Sequence, residues 1–212
     1  NSASTVSIFY YGPKRGWATA TRCYTVSCIA KKMASAFCGA VLATRIKTTL
    51  PAQPVFFRLL SLDQAEWLRP DGEIRRGTLP ELAAETSGVR RILVAPGEAI
   101  ILHQVAMPSR KRSTWARAVP YALEDQLAEE IEALHFALGN TLDDNRLPVA
   151  VIAHDTLRAW LEACDHSGST PAAMVPEPLL LPWQEGDWSV FLENRRAIVR
   201  TGRWEGFATE QD

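Results

Sequence analysis

The sequence predicts an α/β domain with a mixed sheet, and three observations from residue 55 onward support this fold class. Short apolar runs alternate with amphipathic stretches, as strands do when they alternate with helices. Glycine or proline punctuates these runs at regular intervals, so each element is short. The run RRILVAP at 90–96 is apolar over most of its length, which indicates a strand covered on both faces.

The first predicted elements are a three-stranded meander, a short helix and two further strands. Asp71-Gly72 is a hairpin turn, Pro80 suits the first turn of a helix, and Gly88 suits its end, so PELAAETSG is predicted to be helical. The strands are VFFRLLSL (55–62), AEWLRP (65–70), EIRRGTL (73–79), RRILVAP (90–96) and AIILHQVAMP (99–108).

A longer helical stretch is predicted next. An apolar stripe recurs every four residues from Trp115 to Ile131, and Ser109 is a candidate cap. Pro120 lies inside this stretch, where it removes a hydrogen bond and clashes with the preceding turn. We therefore expect a kink, or two abutting helices with Pro120 beginning the second.

The remaining elements are predicted to be short strands around one helix, DTLRAWLEACDHSG. Asp155 is expected to cap that helix, and residues 193–196 are expected to form a hairpin turn. Leu157, Trp160, Leu161 and Cys164 are expected to share one face of the helix. The strands are HFALG (135–139), LPVAVIAH (147–154), AAMVPE (172–177), LLLPW (179–183), WSVFLEN (188–194) and RAIVRTG (196–202), and TLDDN (141–145) is a loop.

Charge and composition separate residues 1–54 from the remainder. The segment holds seven of the 23 basic residues and none of the 24 acidic ones, so residues 55–212 carry a net charge of −8. MASAFCGAVLA at 33–43 resembles the apolar core of a signal peptide, and the acid-free composition also fits a transit peptide. Because the chain begins with Asn1 and its composition changes near 51–54, we interpret residues 1–54 as a non-native, disordered or mis-translated leader rather than a targeting segment. The folded domain is then 55–212.

Cysteine usage and apolar run length limit the class of protein. Three of the four cysteines lie in the leader, which leaves Cys164 alone, and a single thiol favours a reducing compartment over a disulfide framework. Nothing in the chain is an apolar run of eighteen residues, so we expect no membrane span. The basic run 110–112 is too short to offset the net charge of −8, so we expect no nucleic acid partner.

Motifs for chemistry are weak. The turn Leu62-Asp63-Gln64-Ala65 has the aspartate of a phosphate-binding turn but no glycine, and neither GxxxxGK[ST] nor GxGxxG occurs, so we expect no nucleotide cofactor. The four histidines are scattered, and no metal site is expected. His103 and His135 are interpreted as hydrogen-bonded sheet residues. His154 and Asp155 end a strand where ligands often bind in α/β folds, although we favour a helix cap there.

Five carboxylates follow the basic run within about three helical turns, and they are Glu124, Asp125, Glu129, Glu130 and Glu132. In one continuous helix, cations at the N-terminal end and anions at the C-terminal end would oppose the helix macrodipole. Something other than helix stability therefore sets the pattern. The carboxylates either solvate the helix and neutralise Arg110–Arg117, or form a surface for a partner. Asp125 and Glu129 are expected to share a helix face, where a solvated face is favoured over an acid/base pair.

Residues 93–139 resemble the cytoplasmic region of the type II secretion L protein (GspL family). The likeness is carried by Ala95-Pro96-Gly97-Glu98, by Met107-Pro108, by the run from Ala118 to Leu127, by Glu129-Glu130-Ile131 and by Leu134-His135-Phe136. The passages at 55–72 and 149–183 are compatible with the same family.

The resemblance implies a mixed-sheet cytoplasmic domain of the actin-like ATPase (RNase H-like) type without a nucleotide site, truncated in this chain. It implies a non-enzymatic scaffold of the type II secretion inner-membrane platform. The implied partners are the secretion ATPase (E component), the M and F components and a second copy in a homodimer. The full-length protein would cross the inner membrane once, with this soluble part on the cytoplasmic face and the membrane segment absent from the chain. Glu124, Asp125, Glu129, Glu130 and Glu132 are the expected partner-binding residues. The alternative is an actin-like nucleotide-binding protein with ATPase activity.

Overall fold

The structure is a computed structural model that describes residues 8–12, 16–20, 53–106, 112–140, 146–193 and 195–210. Three α-helices are present in these ranges: α1 (Leu79–Glu85), α2 (Arg112–Leu123) and α3 (His154–His166). The strands are β1 (Ile8–Gly12), β2 (Gly16–Ala20), β3 (Val55–Leu59), β4 (Gln64–Leu68), β5 (Ile74–Thr78), β6 (Arg91–Ala95), β7 (Ile101–Ala106), β8 (Leu134–Leu138), β9 (Arg146–Ala153), β10 (Ala173–Pro176), β11 (Trp188–Glu193), β12 (Arg196–Arg200) and β13 (Gly206–Glu210). The α/β class with a mixed sheet is confirmed.

The mixed sheet has the strand order β10-β6-β3-β4-β5. β10, β6 and β3 are parallel, whereas β3, β4 and β5 form the predicted antiparallel meander. Gly72 makes the β4–β5 turn with a φ of 87°, a backbone conformation that glycine adopts without steric cost. A capping box begins α1, because the Thr78 hydroxyl accepts from the Glu81 amide while the Glu81 carboxylate accepts from the Thr78 amide.

The core of this sheet lies under α1 and α3. Phe57, Trp67 and Leu82 are buried there, and the free thiol of Cys164 packs among them on α3. Leu93, Val94 and Ala95 are buried one after another, although successive side chains of a strand point to opposite faces. Cover on both faces of β6, which RRILVAP predicted, is therefore confirmed.

A second sheet has the antiparallel order β7-β9-β8 and packs against α2. Trp115, Val119 and Leu123 of α2 are buried against Leu147, Val149 and Val151 of β9. These residues fix the orientation of α2, because three of its apolar side chains on one face are held in the core.

The predicted continuation of this helix through Ile131 is wrong. α2 passes through Pro120 and ends at Leu123, after which Glu124–Gln126 and Ile131–Ala133 are single 3₁₀ turns separated by extended backbone at Leu127. Pro120 therefore does not begin a second helix. A C-terminal helix end disfavours anions, so ending the helix at Leu123 relieves the opposition to the macrodipole for Glu129, Glu130 and Glu132 but not for Glu124 and Asp125, which directly follow the helix end. Asp125 and Glu129 accordingly do not share a helix face. Ser109 lies outside the described residues.

The third sheet has the order β13-β12-β11-β1-β2. The predicted hairpin joins β11 to β12, while β13 is an addition that the sequence did not indicate. LLLPW at 179–183 was predicted to be a strand, but Glu177–Leu180 is a 3₁₀ turn, because Pro178 and Pro182 cannot donate to a ladder.

Two strands lie within residues 1–54. β1 pairs with β11, and β2 pairs with β1. The sequence led us to exclude the whole segment from the fold, whereas these two strands belong to the third sheet. The interpretation of residues 1–54 as a non-native leader stays a prediction.

Candidate interaction surface

The residues 124–132, called the acidic segment from here on, connect α2 to β8. Its backbone is ordered by two 3₁₀ turns, in which the Leu127 amide donates to the Glu124 carbonyl at 3.3 Å and the Ala133 amide to the Glu130 carbonyl at 2.9 Å. Leu127 packs partly buried against the α2 core. All five candidate carboxylates are exposed, and they are Glu124, Asp125, Glu129, Glu130 and Glu132. The segment thus presents its acids to solvent from a backbone that is anchored at both ends.

The carboxylates of the acidic segment have no internal counter-charges among the described residues. Within the part of the chain that the structure describes, none of the five forms an ion pair. Arg117 of α2 is exposed and likewise forms no ion pair within the same ranges. Arg110 and Lys111 are not described. The described residues therefore offer no support for neutralisation of the acids by Arg117. The negative charges of the acidic segment face the solvent.

Tyr121, which no sequence pattern singled out, adds an aromatic ring to this surface. It lies on the last turn of α2 and is 69% exposed, whereas Val119 and Leu123 on either side are buried. Positions two residues apart on a helix point away from each other, so the apolar stripe of α2 itself places Tyr121 on the opposite face. Exposed tyrosines are enriched where proteins bind one another, and this one stands three residues from Glu124.

A second cluster of charges lies at the carboxyl end of the parallel strands of the mixed sheet. Arg58 of β3 is paired with Glu66 of β4, and its Nη1 lies 3.6 Å from Glu177 and 3.4 Å from Glu193 of β11. Burial acts to lower the pKa of Arg58, but the charges of Glu66, Glu193 and Glu177 outweigh it and raise that pKa. The cluster thus ties β3 of the mixed sheet to β11 of the third sheet.

Arg196 of β12 extends the cluster. Its guanidinium is paired with Glu98, which follows β6, and with Glu177, which follows β10. These hydrogen bonds raise the pKa of Arg196, and those from Arg196 hold the pKa of Glu98 below its ordinary value. We call Arg58, Glu66, Glu98, Glu177, Glu193 and Arg196 the inter-sheet network.

The position of the network bears on nucleotide chemistry, since open α/β sheets bind ligands outside the carboxyl ends of their strands. Here that edge carries Glu98 and Glu177, which pair with the guanidiniums of Arg58 and Arg196 and so occupy the cations that a phosphate would need. The turn between β3 and β4 is closed on itself, because the Ser61 amide donates to the Gln64 carbonyl at 3.3 Å and the Gln64 amide donates to Ser61 Oγ at 3.2 Å. The turn thus binds its own groups where a phosphate-binding turn would present amides.

The histidines are placed differently from the sequence predictions. His135 and His154 meet edge to face with ring centroids 5.8 Å apart, and His103 Nε2 is buried without a hydrogen-bond partner in the described structure. The interpretation of His103 as a hydrogen-bonded sheet residue is therefore wrong for its Nε2. Asp155 does not cap α3 either: the N-cap is Ala153, and Asp155 instead pairs with Arg158 at 3.0 Å, as residues three apart on a helix can.

The described ranges contain no group of three or more histidine, cysteine, aspartate or glutamate side chains arranged to hold a metal ion. Among the same residues, every helix is too short or too polar to cross a membrane.

Comparisons with known proteins agree on one family. The profile of the family described as type II secretion system (T2SS), protein L, matches residues 57–212. A protein named type II secretion system protein L from Pseudomonas aeruginosa is 34% identical over 138 residues, which are 65% of this chain and 36% of that protein. Its namesake from Dickeya chrysanthemi is 32% identical over 140 residues, or 64% and 35% of the two chains. The chain thus spans about a third of the length of these relatives.

A solved structure supports the fold. The cytoplasmic domain of EpsL, an inner membrane component of the type II secretion system of Vibrio cholerae, superposes with a TM-score of 0.60 at 20% sequence identity. The superposition covers 74% of this chain and 71% of that one. At this identity the likeness shows a shared fold.

Proposed function

Because the chain belongs to the family of type II secretion system protein L, we propose that it is a scaffold of the inner-membrane secretion platform that recruits the cytoplasmic secretion ATPase. The resemblance drawn from residues 93–139 is confirmed by the family match. One observation carries the recruiting role: the acidic segment is exposed, held on an ordered backbone and without ion pairs among the described residues. Charges that are unused within a domain favour encounter with an oppositely charged partner.

The partner surface on the ATPase is then basic. Glu124, Asp125, Glu129, Glu130 and Glu132 steer the approach and set the orientation of that surface, because the long-range field acts before contact. Tyr121 supplies contact area at low entropic cost and can stack on an arginine of the partner. Charge complementarity thus controls the rate of association, and the aromatic ring contributes to the lifetime of the complex.

Further parts of the proposal concern the assembly. The M and F components of the platform and a second copy of the chain are further partners. The longer protein is placed at the cytoplasmic face of the bacterial inner membrane. The domain acts by binding rather than by catalysis, which is supported by the carboxylates of the inter-sheet network at the edge where an actin-like ATPase would need phosphate-binding amides.

Charge reversal tests the recruiting role. The double variant Glu129→Lys/Glu130→Lys should bind the purified secretion ATPase of the same system about tenfold more weakly at low salt, mainly through a slower association rate. The difference should shrink as salt is added, because exposed charges are screened within about 8 Å at physiological ionic strength. Surface plasmon resonance at several salt concentrations measures both rates.

The matched control is Glu162→Lys/Glu185→Lys, which changes the net charge equally at two exposed positions outside the acidic segment. This control should leave the affinity close to that of the unmodified chain. Unchanged affinity of the Glu129→Lys/Glu130→Lys variant at low salt would remove the proposal. Equal weakening by both double variants would show that only the net charge of the domain matters, and it would also contradict the proposal. Tyr121→Ala should raise the dissociation rate without altering the dependence on salt.

A further inference from the structure

A pocket of about 150 Å³ lies between the mixed sheet and the third sheet. It is distinct from the acidic segment, and the proposed recruiting function does not use it. Most of its walls are apolar, with side chains from β3, β4 and β5 on one side and from the segment before β11, β11 itself and β12 on the other. The principal apolar residues are Phe56, Leu68, Ile74, Leu181, Phe191 and Ile198.

The pocket follows from the alternation of side chains along the meander. Phe57 and Trp67 point to the face covered by α1, so Phe56 and Leu68 point to the opposite face. That face is covered over β3 and β6 by Leu181 and the third sheet but is less covered toward β5. Ile74 at the start of β5 is 41% exposed and forms the mouth. An apolar space of this volume is large enough for a benzene ring.

One end of the pocket is lined by charged groups of both signs. Its lining includes Arg58 together with the carboxylates of Glu66, Glu177 and Glu193. Arg76 pairs with Glu66 and Arg196 with Glu177, but Glu193 is reached from Arg58 only at 3.4 Å, by a guanidinium that also serves the other two carboxylates. Glu193 is therefore the least strongly paired carboxylate of the lining, and a further cation would gain the most by pairing with it.

We propose that this pocket binds a positively charged side chain with an apolar body, presented by an extended segment of a partner protein. The apolar walls take up the body of the side chain by the hydrophobic effect, and its cationic end pairs with Glu193. The occupant is a polypeptide rather than a free amine because the mouth lies on β5, which is the edge strand of the mixed sheet among the described strands. An edge strand offers backbone groups with which an extended peptide can pair while it places one side chain in the pocket.

Small probes test the chemistry of the pocket first. Benzylammonium, benzyl alcohol and phenylacetate share a ring and differ in charge, and their binding to the full chain can be measured by NMR titration. Benzylammonium should bind with a Kd on the order of 1 mM, at least about tenfold more tightly than benzyl alcohol, while phenylacetate should not bind. Equal binding of the cation and the neutral alcohol, or no binding of the cation, would overturn the proposal.

Two variants locate the site. Glu193→Gln should weaken benzylammonium about tenfold and leave benzyl alcohol unchanged, whereas Glu162→Gln on the exposed face of α3 is the matched control and should change neither. Ile74→Arg should block both probes at the mouth, and because Ile74 is partly exposed, this variant should keep the fold. Full binding of benzylammonium to Glu193→Gln, or of either probe to Ile74→Arg, would refute the assignment.

A peptide probe distinguishes a side chain of a partner segment from a free amine as the natural ligand of the pocket. A five-residue peptide with a central lysine between valines should bind more tightly than benzylammonium and should lose that binding in Ile74→Arg. A peptide that binds no more tightly than the free amine would overturn the docking of a partner segment. Neither Glu193→Gln nor Ile74→Arg should alter binding of the secretion ATPase through the acidic segment, so the two proposals fail independently.

Discussion

Removing the Arg58 guanidinium is the strongest test of how the mixed sheet and the third sheet are held together. Arg58→Met keeps an apolar stem of similar length but leaves Glu66, Glu177 and Glu193 without the cation that they share. Glu66 and Glu177 are largely buried, with side-chain exposures of 8% and 12%, and water therefore compensates poorly. The variant should be destabilised although no apolar contact is lost.

The magnitude follows from what remains in the network. Breaking a buried ion pair by removing one partner costs about 3–5 kcal/mol. Arg76 still pairs with Glu66 and Arg196 with Glu177, so the lower end of that range, about 3 kcal/mol, is expected. With a urea dependence of about 2 kcal/mol per molar, the unfolding midpoint should fall by about 1.5 M. Arg58→Lys should lose only part of this stability, because an ammonium retains the positive charge but lacks the several hydrogen-bond donors of a planar guanidinium.

Urea unfolding of the full chain, followed by tryptophan fluorescence, measures the change. The matched control is Arg158→Met, because Arg158 also forms an ion pair at 3.0 Å but is 63% exposed. A surface pair of this kind is worth about 0–1 kcal/mol, so the control should unfold close to the unmodified chain. A loss below about 1 kcal/mol for Arg58→Met, or a loss equal to that of the control, would show that the network does not hold the sheets together.

Two further predictions concern single groups. Thr78→Ala removes the hydroxyl half of the capping box of α1 and should lower stability by about 0.5–2 kcal/mol in the same urea assay; an unchanged midpoint would contradict it. The pKa of Glu98 is lowered chiefly by hydrogen bonds from Arg196, so its contribution is present above the pKa of the unfolded carboxyl and is lost as pH falls through the lowered folded pKa. Glu98→Gln should therefore flatten the decline in stability between about pH 5 and pH 2, and parallel declines would contradict this.

The end of α2 explains why the acids of the acidic segment are available to a partner. In the helix expected from the sequence, Glu129, Glu130 and Glu132 would oppose the macrodipole of their own helix. The structure reduces this conflict for these three acids by ending the helix at Leu123, so that they lie beyond its last turn, whereas Glu124 and Asp125 directly follow the helix end. All five acids remain exposed to solvent.

Local patterns predicted much of the fold because their causes are local. The Asp71-Gly72 turn, the place of Pro80 in the first turn of α1 and the continuous apolar run of β6 each depend on residues close in the chain, and each was confirmed. The stripe from Trp115 to Ile131 failed for a different reason. Its spacing of four residues fits a helix, but Leu127 and Ile131 lie beyond the helix end, in an extended residue and a 3₁₀ turn, and Leu127 packs against the α2 core from there. Periodicity alone does not distinguish these arrangements.

The candidate site likewise has some features that follow from the sequence and others that follow only from the tertiary structure. The sequence by itself determined the family likeness, the five carboxylates and the absence of a glycine beside Asp63, because these depend on residue identity along one short stretch. Only the tertiary structure decided that Arg58 meets Glu193, which is 135 residues away, and that a pocket opens between their sheets. Contacts between distant segments depend on how whole sheets pack, and packing is a property of the assembled core that no local pattern encodes.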